Sequence, residues 1–225
     1  LRQMAQLGQW RGQPEAALDY WVAYLDMAAD AEARDKAWRL AFQLFDYNRG
    51  IQLLGATAAS RRLSDEELDA LVYAHEQRGT PAMAENWLRG YLQRASSQRL
   101  AWTRLVQNLQ NRQLLQREAD TWPQFAGRHQ LTIAERMSWA EVLWNLYQPE
   151  QAWQVLDVAP LDELSPDYWR LRAALAWELE RDDAVLSSYE ALLAQGAVLL
   201  QSEQAQLVDM YRQRDPALAL RMQVA

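Results

Sequence analysis

The chain contains no cysteine, which excludes thiol catalysis, disulfide pairing and thiolate-bound metal. Histidine is nearly as scarce: His75 and His129 are the only two. They lie far apart in sequence, and nothing around them suggests a converging catalytic triad or a metal-ligand spacing. Lysine occurs once, at Lys36, and every other basic side chain is arginine, a bias that points to GC-rich, bacterial coding. No apolar run approaches the length of a bilayer span. Glycine and proline are few, sit at turns, and form no phosphate-binding loop. No signal peptide is visible, and the chain starts at Leu1 rather than Met, so it reads as a piece of a longer protein whose targeting signal lies elsewhere.

What the chain does have is a beat of about 34 residues. Small or compact residues recur at Ala17, Gly50, Ala84, Ala119, Ala152, Val185 and Ala219. Each lies a few residues into a helix-like segment, usually after a turn signal such as Gly12-Gln13-Pro14, Gly79-Thr80-Pro81 or Gln148-Pro149. A period of this size predicts an array of helical hairpins in which each unit contacts only its neighbours. Half of the residues are apolar, enough to bury a continuous core between helix layers.

Two helices fit each beat. The first helices are expected near 1–11, 32–46, 65–78, 98–112, 132–147, 166–180 and 201–214. The second are expected near 14–29, 48–61, 81–95, 115–127, 149–158, 183–195 and 216–225. Apolar residues recur at helical spacing, as in Trp102, Leu105, Val106 and Leu109. Ser64 with Glu67, and Thr132 with Glu135, have the spacing of a capping box, and Pro166 suits a first helical position. The segment from Asp157 to Leu164 is the loosest joint. Pro123 falls where it should kink or split the fourth second-helix. The repeats divide at about 1–30, 31–63, 64–96, 97–131, 132–164, 165–198 and 199–225, in a single array over 1–225.

Charge is unevenly spread. Residues 1–112 carry 14 basic and 13 acidic side chains, and residues 113–225 carry 9 and 17. The acidic half disfavours nucleic acid and suits either plain solubility or a basic partner. Acidic pairs such as Glu66-Glu67 and Asp182-Asp183 fall at predicted helix starts, where they complement the helix dipole rather than form an acid/base pair.

These features resemble tetratricopeptide repeats in a degenerate form. The family's pattern is Trp-x2-Leu-Gly-x2-Tyr in the first helix and Ala-x3-Phe in the second. Here the first half is Trp102-x2-Leu105-Val106-x2-Leu109. The second is Ala17-x3-Trp21, Ala84-x3-Leu88, Ala152-x3-Leu156 and Val185-x3-Tyr189. No repeat has every consensus residue. The resemblance implies an all-α fold, a right-handed α-solenoid of six to seven repeats, with a small residue admitting close helix approach and a large one filling the groove. It also implies a non-catalytic binding module with no cofactor. The clamp that some such proteins close on a chaperone's terminal carboxylate is absent: the corresponding positions read Asp35, Arg39, Asp69, Tyr73, Thr103 and Gln107.

The wording of 13–21 and 40–47, rich in Trp, Gln and Tyr, resembles the periplasmic repeat region of the PelB family of Pel exopolysaccharide exporters. That resemblance implies a C-terminal β-barrel outside this segment. It further implies recruitment of the periplasmic deacetylase/hydrolase PelA, contact with a cationic polysaccharide, and a periplasmic location on an outer-membrane-anchored protein. Repeat regions of cellulose and alginate exporters are similar in kind. Two alternatives stay open, a cytosolic assembly module and a non-catalytic repeat arm of a glycosyltransferase-type enzyme.

Eleven tryptophans are many for 225 residues. In the repeat register Trp102, Trp139 and Trp169 belong to the packed face, and His75 to core or groove packing. Trp144 and Trp177 follow packed residues by one position and are expected on the inner face. The candidate partner-binding row is Arg39, Phe42, Tyr73, Glu76, Gln107, Gln110, Glu141, Trp144, Asn145, Trp177 and Glu178, a mixed aromatic and polar surface suited to cations or sugars.

Overall fold

A computed structural model describes residues 1–157 and 164–214, with the side chains of 213 and 214 left aside. The described residues form thirteen helices and no strands. They fall into two compact units, Leu1–Gln113 and Leu114–Ala225.

Unit 1 holds α1 (Arg2–Trp10), α2 (Pro14–Leu25), α3 (Ala31–Gln43), α4 (Tyr47–Ser60), α5 (Asp65–Gln77), α6 (Pro81–Leu92) and α7 (Arg99–Asn111). Unit 2 holds α8 (Leu115–Ala126), α9 (Ile133–Asn145), α10 (Pro149–Leu156), α11 (Pro166–Glu178), α12 (Asp182–Ala194) and α13 (Gln201–Arg214). Within each unit every helix packs on the next one along the chain. The architecture is an all-α repeat of the solenoid kind. The expected helix at 216–225, its marker Ala219 and most of the Asp157–Leu164 joint lie outside the described residues.

The chain itself starts and stops these helices. Pro14, Pro81, Pro149 and Pro166 occupy first-turn positions where a missing N–H costs nothing. Ser64 and Thr132 form the two complete capping boxes. Hairpins turn through one left-handed residue each: Gly12, Phe45, Gly79, Gln113, Tyr147 and Glu180, with φ from 55 to 70°. The residue after it returns its N–H to a carbonyl five back, as in Asp46 to Ala41 (2.8 Å), Thr80 to His75 (2.9 Å) and Gln148 to Leu143 (2.9 Å). That bond closes the helix end in a Schellman motif and satisfies an otherwise orphaned carbonyl.

The repeating small residues sit in the core. Ala17, Gly50, Ala84, Ala119, Ala152 and Val185 are all buried. The partners four positions later are buried too at Trp21, Leu54, Leu88, Leu156 and Tyr189. Each such aliphatic or aromatic side chain contributes about 1.5–3 kcal/mol by leaving water. A Cβ at Gly8 would lie 3.1 Å from that of Ala17, so α1 and α2 approach as closely as small residues allow.

Pro123 departs from expectation. Helix α8 runs unbroken through it. Pro123 is exposed, while its neighbours Trp122 and Phe125 are buried and hold the helix against the core. The pyrrolidine ring therefore faces solvent while the packed neighbours keep the helix in line. Trp139 packs against the core as expected of it, half-buried and stacked on Trp122 with ring centroids 6.4 Å apart.

Candidate functional site

The candidate residues fall into two clusters, one in each unit. In unit 1, α3 presents Arg39 and Phe42, α5 presents Tyr73 and Glu76, and α7 presents Gln107 and Gln110. Phe42, Tyr73 and Glu76 share a cavity of about 370 Å³ with Asp69 and Arg104. Phe42 meets Tyr47 edge to face at 5.8 Å, and Tyr47 meets Tyr73 at 5.9 Å. Burial pushes the Tyr47 hydroxyl pKa up, and the Tyr73 hydroxyl adds to the effect.

The arginines near this cavity are paired. Arg104 grips Asp69 through Nε (2.6 Å) and a terminal nitrogen (2.9 Å), and donates to Gln107 (2.7 Å). Arg39 spans two carboxylates, Glu66 at 2.8 Å and Asp35 at 3.1 Å. Glu66, then Asp35, hold the Arg39 guanidinium protonated well past its ordinary range. Arg39 and Gln107 are therefore committed to neighbours rather than presented singly. Gln110 is exposed on α7.

In unit 2, Trp144 on α9 and Trp177 and Glu178 on α11 line one cavity of about 500 Å³ with Tyr189, Arg170 and Glu203. The Trp144 indole N–H donates to the Glu178 carboxylate. Trp177 is 45% exposed. Arg170 pairs with Glu203 at 3.3 Å. The Tyr189 hydroxyl donates to Gln206, and burial, reinforced by Glu203, pushes its pKa up to about 12. Glu141 and Asn145 are exposed on α9 outside this cavity lining. The expected inner row is thus divided: Trp144, Trp177 and Glu178 meet, and Glu141 and Asn145 stand apart.

Three exposed aromatics lie outside the expected row: Trp10 near the start of the chain, Phe45 and Tyr147. Phe45 is 75% and Tyr147 93% exposed, each at the left-handed turn residue of its hairpin. Phe45 lies one repeat step from Gly12 and from Gly79, and Tyr147 two steps beyond Gly79, which was the signal available in the sequence. His75, as expected, is core: it is buried, with Nδ1 3.3 Å from the Thr80 hydroxyl. Among the described residues no group of three or more His, Asp or Glu is placed to hold a metal ion, and no helix is long and apolar enough to cross a membrane.

Helical hairpins on a 33–35-residue beat define an all-α repeat fold of the solenoid kind, and the tetratricopeptide fold, which the C-terminal part matches, generally serves as a non-catalytic protein-interaction module. Residues 124–225, a little under half of the chain, match the tetratricopeptide repeat family model. No curated protein sequence matches. Among solved structures, the C-terminal part of a TPR repeat-containing protein from Cytophaga hutchinsonii is similar at 10% identity and TM-score 0.57, over 99% of this chain and 92% of that one. A chain of the Naa15/Naa10 complex bound to HypK-THB is similar at 16% identity and TM-score 0.58, over 95% of this chain and 36% of that one. At these identities the likeness concerns the fold.

Proposed function

We propose that this chain is a protein-interaction scaffold of a bacterial exopolysaccharide secretion system. In this reading it stands in the periplasm as part of an outer-membrane exporter of the PelB kind. It recruits a polymer-modifying enzyme of the PelA kind and helps guide an amino-sugar polymer toward the pore. The observation that carries the reading is the unit 2 cavity, where the exposed Trp177 indole lies beside the Glu178 carboxylate, while Glu203 in the same lining is paired with Arg170. The surrounding half of the sequence holds 17 acidic against 9 basic side chains. An aromatic face beside a carboxylate suits a cation, either an ammonium-bearing sugar or an Arg/Lys-bearing protein surface, and such contacts contribute about 0.5–2 kcal/mol each. Surplus negative charge steers a cationic partner and makes association salt-sensitive.

The test compares the native chain with Trp177→Ala, whose exposed side chain can be removed without opening the core, and with the paired Trp144→Ala, Trp177→Ala variant. Both are first checked for native helicity by circular dichroism. Binding is then measured against PelA and against deacetylated amino-sugar oligomers at low and moderate salt. The expected result is weaker binding by about 2- to 30-fold for Trp177→Ala, with affinity falling as salt rises. Native affinity of the paired variant for both ligands would remove the cavity from the binding surface.

A further inference from the structure

We infer that unit 2 carries a separate binding cleft for a neutral oligosaccharide, lying between α8 and α10 above α9. The cleft has a volume of about 720 Å³ and shares no lining residue with the Trp144–Trp177 cavity. One wall is a row of amides on α10: Gln148, its N-cap, and Gln151 and Gln154, which are neighbours at i, i+3 on the helix surface. The facing wall on α8 presents Gln116, whose amide donates to Asp120 at 3.1 Å.

Beneath them the cleft is apolar. Ala119 and Leu143 are buried, and the half-buried Trp139 indole joins them. Trp139 is held in plane by its stacking on Trp122, with the rings inclined by only 14°. The floor is therefore a fixed aromatic surface rather than a mobile side chain.

Charge selects the ligand class. In this strongly acidic half of the chain, the cleft lining contains one acid, Asp120, and one base, Arg136, which cancel. Asp120 already accepts from Gln116, and Arg136 donates to the Val155 carbonyl at 3.3 Å. Neither a cation nor an anion finds net opposite charge here. An entirely apolar ligand would strip water from four amides without replacing their hydrogen bonds. Each amide both donates and accepts, as hydroxyl groups do. A pyranose ring has hydroxyls around its rim and an apolar C–H face, which matches two amide walls over an indole-bearing floor. An extended peptide could use the amides through its backbone, but only every second side chain would meet the floor, whereas each pyranose ring brings its own C–H face.

The experiment uses the whole chain with ¹⁵N-labelled tryptophan, the Trp139 indole resonance being assigned with Trp139→Phe. Neutral trisaccharides (the β-1,4 glucose trimer and the N-acetylglucosamine trimer), the cationic glucosamine trimer and an uncharged Gly/Ser peptide are titrated to millimolar concentration. At least one neutral trisaccharide should shift the Trp139 resonance saturably, and the cationic trimer and the peptide should do so more weakly. Gln151→Ala with Gln154→Ala touches only exposed helix positions and should keep native helicity and melting. Losing two amide contacts, it should weaken the neutral sugar about tenfold, with the Trp177 resonance and its ligands unaffected. The inference is overturned if no neutral trisaccharide moves Trp139, if the double substitution leaves affinity unchanged, or if the glucosamine trimer or the peptide binds the cleft as well as the neutral sugars do.

Discussion

The ring of Phe42 fills the space that a side chain at position 50 would need: a Cβ built on Gly50 would lie 2.6 Å from the Phe42 ring edge. Gly50 is one of the repeating small residues, and Phe42 anchors the aromatic chain to Tyr47 and Tyr73. Gly50→Ala must therefore push the ring out of its packed position. Overpacking of this kind costs about 1–3 kcal/mol, against a gain in helix propensity of about 1 kcal/mol or less. Net destabilisation is expected in urea denaturation. Gly55 lies in the same helix with nothing within 4 Å of its added Cβ, so Gly55→Ala should stabilise by roughly 0.5–1 kcal/mol. Equal effects of the two substitutions would contradict the close approach of Phe42.

Tyr147 adopts φ 60° in its hairpin turn while remaining 93% exposed. A side chain in the left-handed region costs about 1–2 kcal/mol, and this one recovers little by burial. Glycine loses about 0.5–1 kcal/mol more backbone entropy on folding than alanine, which leaves the balance in its favour. Tyr147→Gly should raise the denaturation midpoint, matching hairpins that already use Gly12 and Gly79. Phe45→Gly should gain less, because Phe45 also meets Tyr47 edge to face at 6.4 Å. A lower midpoint for Tyr147→Gly would show that its strain is repaid by contacts.

His75 gives the protein a pH dependence near neutrality. The Thr80 hydroxyl donates its proton to the His75 carbonyl at 3.1 Å, so the nearby Nδ1 donates back to that hydroxyl oxygen. The unpartnered lone pair is then on Nε2, which is buried with no hydrogen-bond partner. Protonating it would bury a charged N–H with no acceptor. Burial, with Arg78 adding, holds the His75 pKa below its ordinary value. The unfolded chain therefore binds the proton first as pH falls, and stability that is full above about pH 6.5 is lost progressively below it. Carboxylates such as Glu66 and Glu32, kept low by Arg39 and Lys36, begin to contribute only below about pH 4.5. Urea unfolding at about pH 5.5 and 7.5 should show a lower stability at the acid end. His75→Asn, which keeps a donor toward Thr80, should remove most of that difference. An unchanged difference in the variant would place the titration elsewhere.

The sequence alone determined the hairpin beat, the helix starts and the buried small residues. Each depends on neighbours within one or two turns: Ser64 caps through Glu67 three residues on, and Ala84 pairs with Leu88 four residues on. Helical periodicity carries such information directly. The pairing of polar side chains was decided only by the tertiary structure. Arg104 finds Asp69, and Trp144 finds Glu178, across helices of neighbouring hairpins. A register places such residues on a common face, but which of them touch depends on side-chain reach and helix crossing, which no local pattern encodes. Pro123 follows the same rule: its residue type predicts a break, and its outward orientation, set by Trp122 and Phe125 packing inward, lets the helix continue. The Trp139 cleft is likewise a tertiary product, since its amides and its floor come from three helices that only packing brings together.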